Sequence, residues 1–323
     1  MYRLSIIVPL LGDPQCFEDT LVSVLQNRPA GCEIHVVHPG RYEDTYKLSD
    51  EVVFVQVASS ADAILAVNAG IQAARGEIVH LLQPGVLAEE GWTDAALKRF
   101  RDPETAAIAP LVLDASDQDR IVSAGLRFTA GGRRVVHGAG MRLSLAKRTL
   151  RRAVAGPARM AAFYRRSVVL ALEGLCPRAG AWYADIDLAL SMRRLGFCCG
   201  LEPEAVLTSA GAEFEPPCQF ETGRSAERVF WRHREELGGA ITLPAHAAHV
   251  MTSVLVRPHR IAAYAQLAGR LLAALERSSY RDFEQRMQHA ADTRRCSGNS
   301  PQDDEDDEHS VLPWPGYSRR LVA

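Results

Sequence analysis

The sequence predicts an α/β protein with a mostly parallel central sheet flanked by helices and a helical extension at its C-terminal end. Three observations carry that prediction. Mostly apolar runs of strand length recur at residues 4–10, 34–37, 52–57 and 77–82. Segments with apolar residues at helical spacing lie among them, and strands alternating with helices build a parallel sheet whose ligand site lies at the strands' carboxyl ends. From residue 216 to 290 only helical patterns remain, and 323 residues that are 47% hydrophobic and 24% charged can bury one large core.

The first run ends in a loop before Asp13-Pro14, an N-cap with proline at the first helical position, and Phe17, Leu21, Val24 and Leu25 then repeat as a helix. Strands at 34–37 and 52–57 follow. A helix from about residue 60 turns Ile64, Val67, Ile71 and Ala74 inward before the strand at 77–82. Trp92, Ala96 and Phe100 share one helix face, 106–112 is a strand, and 121–128 with 133–136 reads as a hairpin about Gly131-Gly132. His137 and the basic residues Lys147, Arg148, Arg151 and Arg152 read as a mobile loop, either a solvated face or a clamp for an acceptor or a diphosphate.

A strand at 158–164 and a helix start at 166–172 lead to the stretch around which the chain is organised, Trp182 to Gly196. It reads as a short helix with an acidic mouth: Asp185 suits the N-cap, Asp187 lies in the first turn, Leu188, Met192 and Leu195 face inward, and Gly196 ends it. A carboxylate placed there is fixed and reachable. Short strands at 197–201 and 205–207 close the domain, and Glu215-Pro216-Pro217 punctuates its end.

The extension opens with an amphipathic helix at 224–233 that folds back over the site. Residues 241–256 are apolar but contain Pro244, His246 and His249, two histidines that hold a metal only if a third ligand comes from elsewhere. A second helix places Ile261, Tyr264, Leu267, Ala268, Leu271, Leu272 and Leu275 on one side and Arg260, Arg270 and Arg277 on the other. Such a helix packs on the core or a partner, or lies on an anionic membrane surface. From residue 291 the composition is that of a disordered tail. The expected organisation is therefore 1–215, 216–290 and 291–323.

Net charge is −2 with six acidic residues concentrated at 303–308, which leaves too mild a basic excess elsewhere to argue for nucleic acid. The seven cysteines form no CxxC pair and read as buried, reduced thiols. No signal peptide or membrane span is expected, which points to the cytoplasm, at most at the inner face of a membrane.

Four segments, in this order, resemble the family 2 glycosyltransferases, inverting nucleotide-sugar enzymes of the GT-A (Rossmann-like) fold. Leu4 to Pro9 is similar to the family's opening SIIVP, and Asn68, Gly70, Gly76 and Glu77 fall on its N-x-G…G-E segment. Leu82-Gln83-Pro84-Gly85 and Gly91-Trp92 stand where the family has L-(D/N)-x-D…G-W. Asp185, Asp187-Leu188 and Gly196-Phe197 match ED-x-D-L…G-(F/Y), with Ala184 in the place of Glu. The helix at 224–233 is similar to R-N-x-x-x-F-x-x-K-H, with Ser225 for Asn, and lacks the Q-x-x-R-W of processive synthases. The resemblance implies sugar transfer from a nucleotide-diphosphate donor to a hydroxyl of a glycan or lipid-linked acceptor. It implies Asp185 as the base, Pro9, His38, Asn68, Gln83 and Gly85 at the donor, and Asp187, Arg228 and Trp231 in support.

Three departures accompany it. The family holds Mg²⁺ or Mn²⁺ with the acidic positions taken here by Gln83 and Gly85, a degenerate DxD. His38-Pro39-Gly40-Arg41 replaces an acidic nucleotide-contacting segment, and Thr208 or its neighbours stand where a metal-ligating histidine is frequent. Two readings follow. Either transfer proceeds without a metal, the diphosphate being met by helix N-termini, His38 or Arg41, Arg75, Arg224, Arg228 and Arg232, or the chain is a silent relative that binds a glycan or a protein.

Overall fold

Apolar burial on both faces explains why the sheet starts where it does. In the computed structural model, which describes residues 3–40, 44, 47–210, 218–239, 242–255 and 261–298, strand β1 (Leu4–Pro9) is buried along its whole length. It pairs in parallel with β2 (Cys32–Pro39) on one side and β4 (Ile78–Leu82) on the other, and β3 (Val53–Val57) adds in parallel to β2. Beyond β4 antiparallel strands enter: β10 (Ala161–Arg165) runs antiparallel to both β4 and β6 (Thr105–Asp114). Strand β11 (Cys198–Ser209) then lies parallel to β6, with β5 (Val86–Ala88) antiparallel at its edge and β7 (Ile121–Ser123) paired to β6. The result is the mostly parallel sheet that the sequence predicts, in the order β3-β2-β1-β4-β10-β6-β11-β5.

The helices that cover it begin at polar caps. Asp13 accepts from the Gln15 N–H ahead of α1 (Pro14–Gln26), and Asp62 accepts from the Ile64 and Leu65 N–H groups ahead of α2 (Ala63–Ala73). Trp92, Ala96 and Phe100 are buried around α3 (Asp94–Arg99) as expected. Lys147 and Arg148 lie in a short exposed helix, α4 (Lys147–Leu150), rather than a loop. The expected hairpin is split: β7 leaves for the main sheet, and after Ala124-Gly125 a separate pair forms from β8 (Leu126–Phe128) and β9 (Arg134–Val136). The two short strands expected at 197–207 are one, β11, with a register shift between Glu202 and Val206. Helix α5 (Arg166–Ala171) follows β10.

Helix α6 (Ala184–Arg194) begins two residues earlier than the sequence suggests. Its N-cap is Tyr183, without a side-chain bond, so Asp185 lies inside the first turn and not at the cap. Gly196, at φ +84°, ends the helix.

The C-terminal helices correct the sequence reading most. Helix α7 (Gln219–His233) crosses α9 (Ile261–Ala274) so closely that a Cβ on Gly223 would lie 2.0 Å from the Gln266 carbonyl oxygen, and one on Gly269 2.0 Å from that of Phe220. Arg270, expected on the outer side, is buried and donates to Glu227 Oε2 at 2.9 Å. Of the settings expected for the leucine-rich side, packing on the core is not the one seen: Ile261, Tyr264, Leu271, Leu272 and Leu275 are all exposed. Close backbone approach and a satisfied buried ion pair fixed the face, and the apolar stripe took what was left. Arg260 lies outside the described residues. Helix α10 (Arg277–Gly298) continues past residue 291, where the tail was expected to start, and buries Phe283, Met287 and Ala290.

Histidines 246 and 249 lie on α8 (Thr242–Leu255), and His246 bridges the Gly131 carbonyl (2.9 Å) and Glu227 (3.1 Å). Among the described residues no group of three or more His, Cys, Asp or Glu could hold a metal ion, and no helix is long and apolar enough to cross a membrane. The described cysteines are free thiols, but only Cys32 and Cys176 are buried and Cys218 is exposed, so the expectation of uniformly buried thiols does not hold.

Candidate active site

Asp185 is 1% exposed, and its carboxylate accepts four hydrogen bonds. Arg134 on β9 donates from Nε to Oδ1 (3.1 Å) and from Nη2 to Oδ2 (2.6 Å). The main-chain N–H groups of Ile186 (2.8 Å, to Oδ1) and Arg159 (3.1 Å, to Oδ2) supply the other two. An ionised carboxylate offers about four lone-pair sites. All are taken, so the group is held in place and cannot accept a further proton donor until one partner leaves.

Arg134 reaches Asp185 because the β8–β9 turn is anchored at its far end. The Gly131 carbonyl oxygen faces His246 Nδ1, and a Cβ on Gly132 would stand 3.1 Å from that nitrogen and 3.2 Å from Phe230. From there β9 carries Arg134 beneath the indole of Trp182, 4.8 Å from the guanidinium carbon. Burial alone would lower the Arg134 pKa, and the adjacent Asp185 charge more than offsets it, so the group is held above its ordinary value. Arg159 differs: burial lowers its pKa and Asp185 only partly compensates.

These side chains line a cavity of about 160 Å³ with walls of Val122, Val136, Ala158, Met160 and Ala181. Arg134, Arg159, Trp182 and Asp185 give it its chemistry. Arg134, Arg159 and Trp182 were not singled out in the sequence. Trp182 stands within the Asp185 stretch and was legible as its neighbour, whereas nothing in a short strand or a pre-strand segment marks Arg134 or Arg159.

The five donor-side residues do not line this cavity. Pro9 ends β1, His38 is buried near the end of β2, and Gln83 follows β4, so these three lie at carboxyl ends of parallel strands. The Gln83 N–H donates to the Met160 carbonyl at 2.9 Å, which sets the turn after β4 against the cavity wall. Asn68 spends both ends of its amide on the Leu175 main chain, at 2.8 and 2.9 Å, and so fixes the turn at Gly174-Leu175. Gly85, at φ +85°, gives its N–H to Thr20 Oγ1 (2.9 Å) and the Cys16 carbonyl (3.1 Å).

Asp187 does not shape the helix mouth. It turns the other way, where Arg232 Nη1 (3.2 Å), His233 Nε2 (3.0 Å) and Arg286 Nη2 (3.6 Å) surround it. Arg228 is paired with Glu276 and donates to the Arg178 carbonyl, and Arg224 also pairs with Glu276. Trp231 Nε1 donates to Glu227 Oε1 at 2.7 Å. Of the arginines expected to meet a diphosphate, three are thus committed to carboxylates, Arg224 and Arg228 to Glu276 and Arg232 to Asp187, Arg75 is exposed, and Arg41 lies outside the described residues.

No family model matches the chain, and no curated protein sequence does. Among solved structures it is similar to the mannosyltransferase PcManGT from Pyrobaculum calidifontis, in complex with GDP-Man and Mn²⁺, with a TM-score of 0.51 and 17% identity over 92% of this chain and 88% of that one. The fold is that of the GT-A glycosyltransferases. GalNAc-T7 with UDP, GalNAc and Mn²⁺ aligns at a TM-score of 0.54 and 14% identity over 71% of this chain, which spans about half (48%) of that protein.

Within the GT-A frame, the places that the sequence resemblance assigns to a divalent cation can be tested by their donors. A hard cation takes charged or carbonyl oxygens. Gln83 offers a neutral amide whose Nε2 is buried without a partner among the described residues, and Gly85 offers an N–H that is already donated. Thr208 is buried in β11 between Leu87 and Leu113. These three positions thus offer no carboxylate, only the Gln83 amide oxygen and the Thr208 hydroxyl, a poor set for a hard cation.

Proposed function

We propose that the chain is a family 2-like inverting glycosyltransferase that moves a sugar from a nucleotide-diphosphate donor to a hydroxyl acceptor without a metal. The observation that carries this is Asp185, a carboxylate in the first turn of α6 at a cavity beside the turn after β4, on a GT-A fold. An acceptor hydroxyl would give its proton to Asp185 as it attacks the anomeric carbon, once Arg134 has released an oxygen. Arg159 precedes Met160, whose carbonyl bonds Gln83, and so brings a cation to the edge where a leaving diphosphate would emerge. Pro9, His38, Asn68, Gln83 and Gly85 would shape the donor side, Asn68 indirectly through Leu175.

The saturation of Asp185 and the non-acidic Gln83 and Gly85 favour a second reading, a silent relative that binds a sugar ligand. Titration with UDP-, GDP- and TDP-sugars, with and without Mn²⁺, separates the two. Transfer is expected in EDTA, with Asp185→Asn slowing it about 10²–10⁴-fold while donor affinity stays within threefold of wild type (roughly 0.7 kcal/mol). Donor binding with no turnover in any pairing selects the second reading, and absence of donor binding ends the first.

A lipid-linked acceptor would place the enzyme at a membrane surface. In support, α8 and α9 contain no Asp, Glu or Lys and a single Arg that is buried, while Met251, Leu255, Ile261, Leu271 and Leu275 are exposed. The attachment would be apolar, not electrostatic. Flotation with neutral phosphatidylcholine vesicles is expected, and Leu271→Glu with Leu275→Glu should abolish it. Flotation only with anionic vesicles, or with none, would count against this contact.

A further inference from the structure

We propose that the cavity at Asp185 recognises an anionic oxygen group on the acceptor, a phosphate or a carboxylate, through the unused edge of Arg134. The proposal rests on the transferase reading for the word acceptor and on geometry for the rest. The Arg134 side chain is only 8% exposed, yet its Nη1 donates to no atom of the described residues: Nε and Nη2 serve Asp185, and Trp182 covers a face. Nη1 is not among the fully buried atoms left without a partner, so it opens on the cavity, where a ligand oxygen can take the place of water. Guanidinium donors lie in one plane as a fork that matches the paired oxygens of a phosphate or carboxylate.

Size narrows the ligand. About 160 Å³ falls below the roughly 300–1,000 Å³ of sites for drug-sized ligands and equals about five waters at ~30 Å³ each. The cavity walls suit one substituent of a sugar. The apolar walls from Val136, Ala158 and Ala181 exclude water from that substituent and strengthen its pairing with Arg134.

The same contact explains how a saturated base becomes available. The Nη1 edge can take a second anion while Nε and Nη2 still serve Asp185, and a shift of Arg134 toward that anion lengthens its bonds to Asp185 and returns lone pairs to it. The correct acceptor thereby uncovers the group that deprotonates it. Arg134 is then a specificity-determining residue rather than a purely structural partner of Asp185.

Calorimetric titration of the full chain with glucose 6-phosphate, glucuronate and glucose tests this, alongside GDP and UDP. One or both anions are expected to bind at least about tenfold more tightly than glucose. The stronger of the two identifies the substituent. Arg134→Gln should remove the preference, and Arg134→Lys should keep part of it as a point charge without a fork. Because Arg134→Gln leaves Asp185 buried and unpaired, the double variant Arg134→Gln with Asp185→Asn, which pairs two amides, repeats the measurement in a chain with no lone charge. Equal binding of glucose, or a preference that survives in both variants, overturns the proposal. So does competition between GDP or UDP and glucose 6-phosphate, which would give the anion site to the donor. Anion preference without any nucleotide-sugar binding would retain the site while discarding the transferase reading.

Discussion

Asp187→Ala is expected to lower the folding stability by about 3–5 kcal/mol, the cost of leaving buried cationic partners without their carboxylate. Arg232 and Asp187 are each about 1% exposed as side chains, and Arg286 from α10 and His233 from α7 converge on the same oxygens. One residue thus ties the sheet-bound α6 to two helices of the extension. Burial alone would raise the Asp187 pKa, but the Arg232 charge, the His233 hydrogen bond and Arg286 hold it well below the ordinary carboxylate range. The sign follows: a depressed folded pKa gives stability that is present above the unfolded value of about 3.9 and is lost as pH falls below it. Urea midpoints measured from about pH 6 to pH 3 should fall more steeply for wild type than for Asp187→Ala. Parallel curves, or a loss under about 1 kcal/mol at neutral pH, would show that Asp187 carries little of the interface.

Gly223→Val is expected to open the α7–α9 crossing, with a loss of at least about 2–3 kcal/mol. The clash is with main chain: a Cβ would meet the Gln266 carbonyl oxygen at 2.0 Å, so no side-chain rotation relieves it. Separation of the helices also pulls Arg270 from Glu227, whose carboxyl is held below its ordinary value against burial by His246 and Arg270. Amide exchange in α9 should accelerate to near-unprotected rates while β1 and β4 stay protected. Wild-type protection in α9 would mean that the crossing tolerates a side chain.

The sheet was legible because its strands are buried on both faces and read as unbroken apolar runs, as at Leu4–Pro9 and Ile78–Leu82. Asp185 was legible as a fixed carboxylate on a short helix, two positions from where it lies in the first turn. The arginines were not. Arg224, Arg228 and Arg232 look like phosphate ligands on an amphipathic helix, but their carboxylate partners lie 45 to 52 residues away, a pairing that spacing cannot reveal. Arg134 and Asp185, 51 residues apart, were missed for the same reason. The covered face of α9 was not legible, because periodicity reports which side is greasy, whereas Gly223, Gly269 and the Glu227–Arg270 pair decide which side is covered.

The short β8–β9 ribbon is gripped at both ends by parts of the molecule that are far apart in sequence. Its tip is wedged against Phe230, His246 and His249, and its stem holds the carboxylate of Asp185. A rigid strut of this kind transmits position: tilting of α8, whether by a docked surface or by loss of the Glu227 contact, must be absorbed within a few bonds of Arg134. A shift of α8 is therefore expected to be felt at the ribbon that holds Asp185.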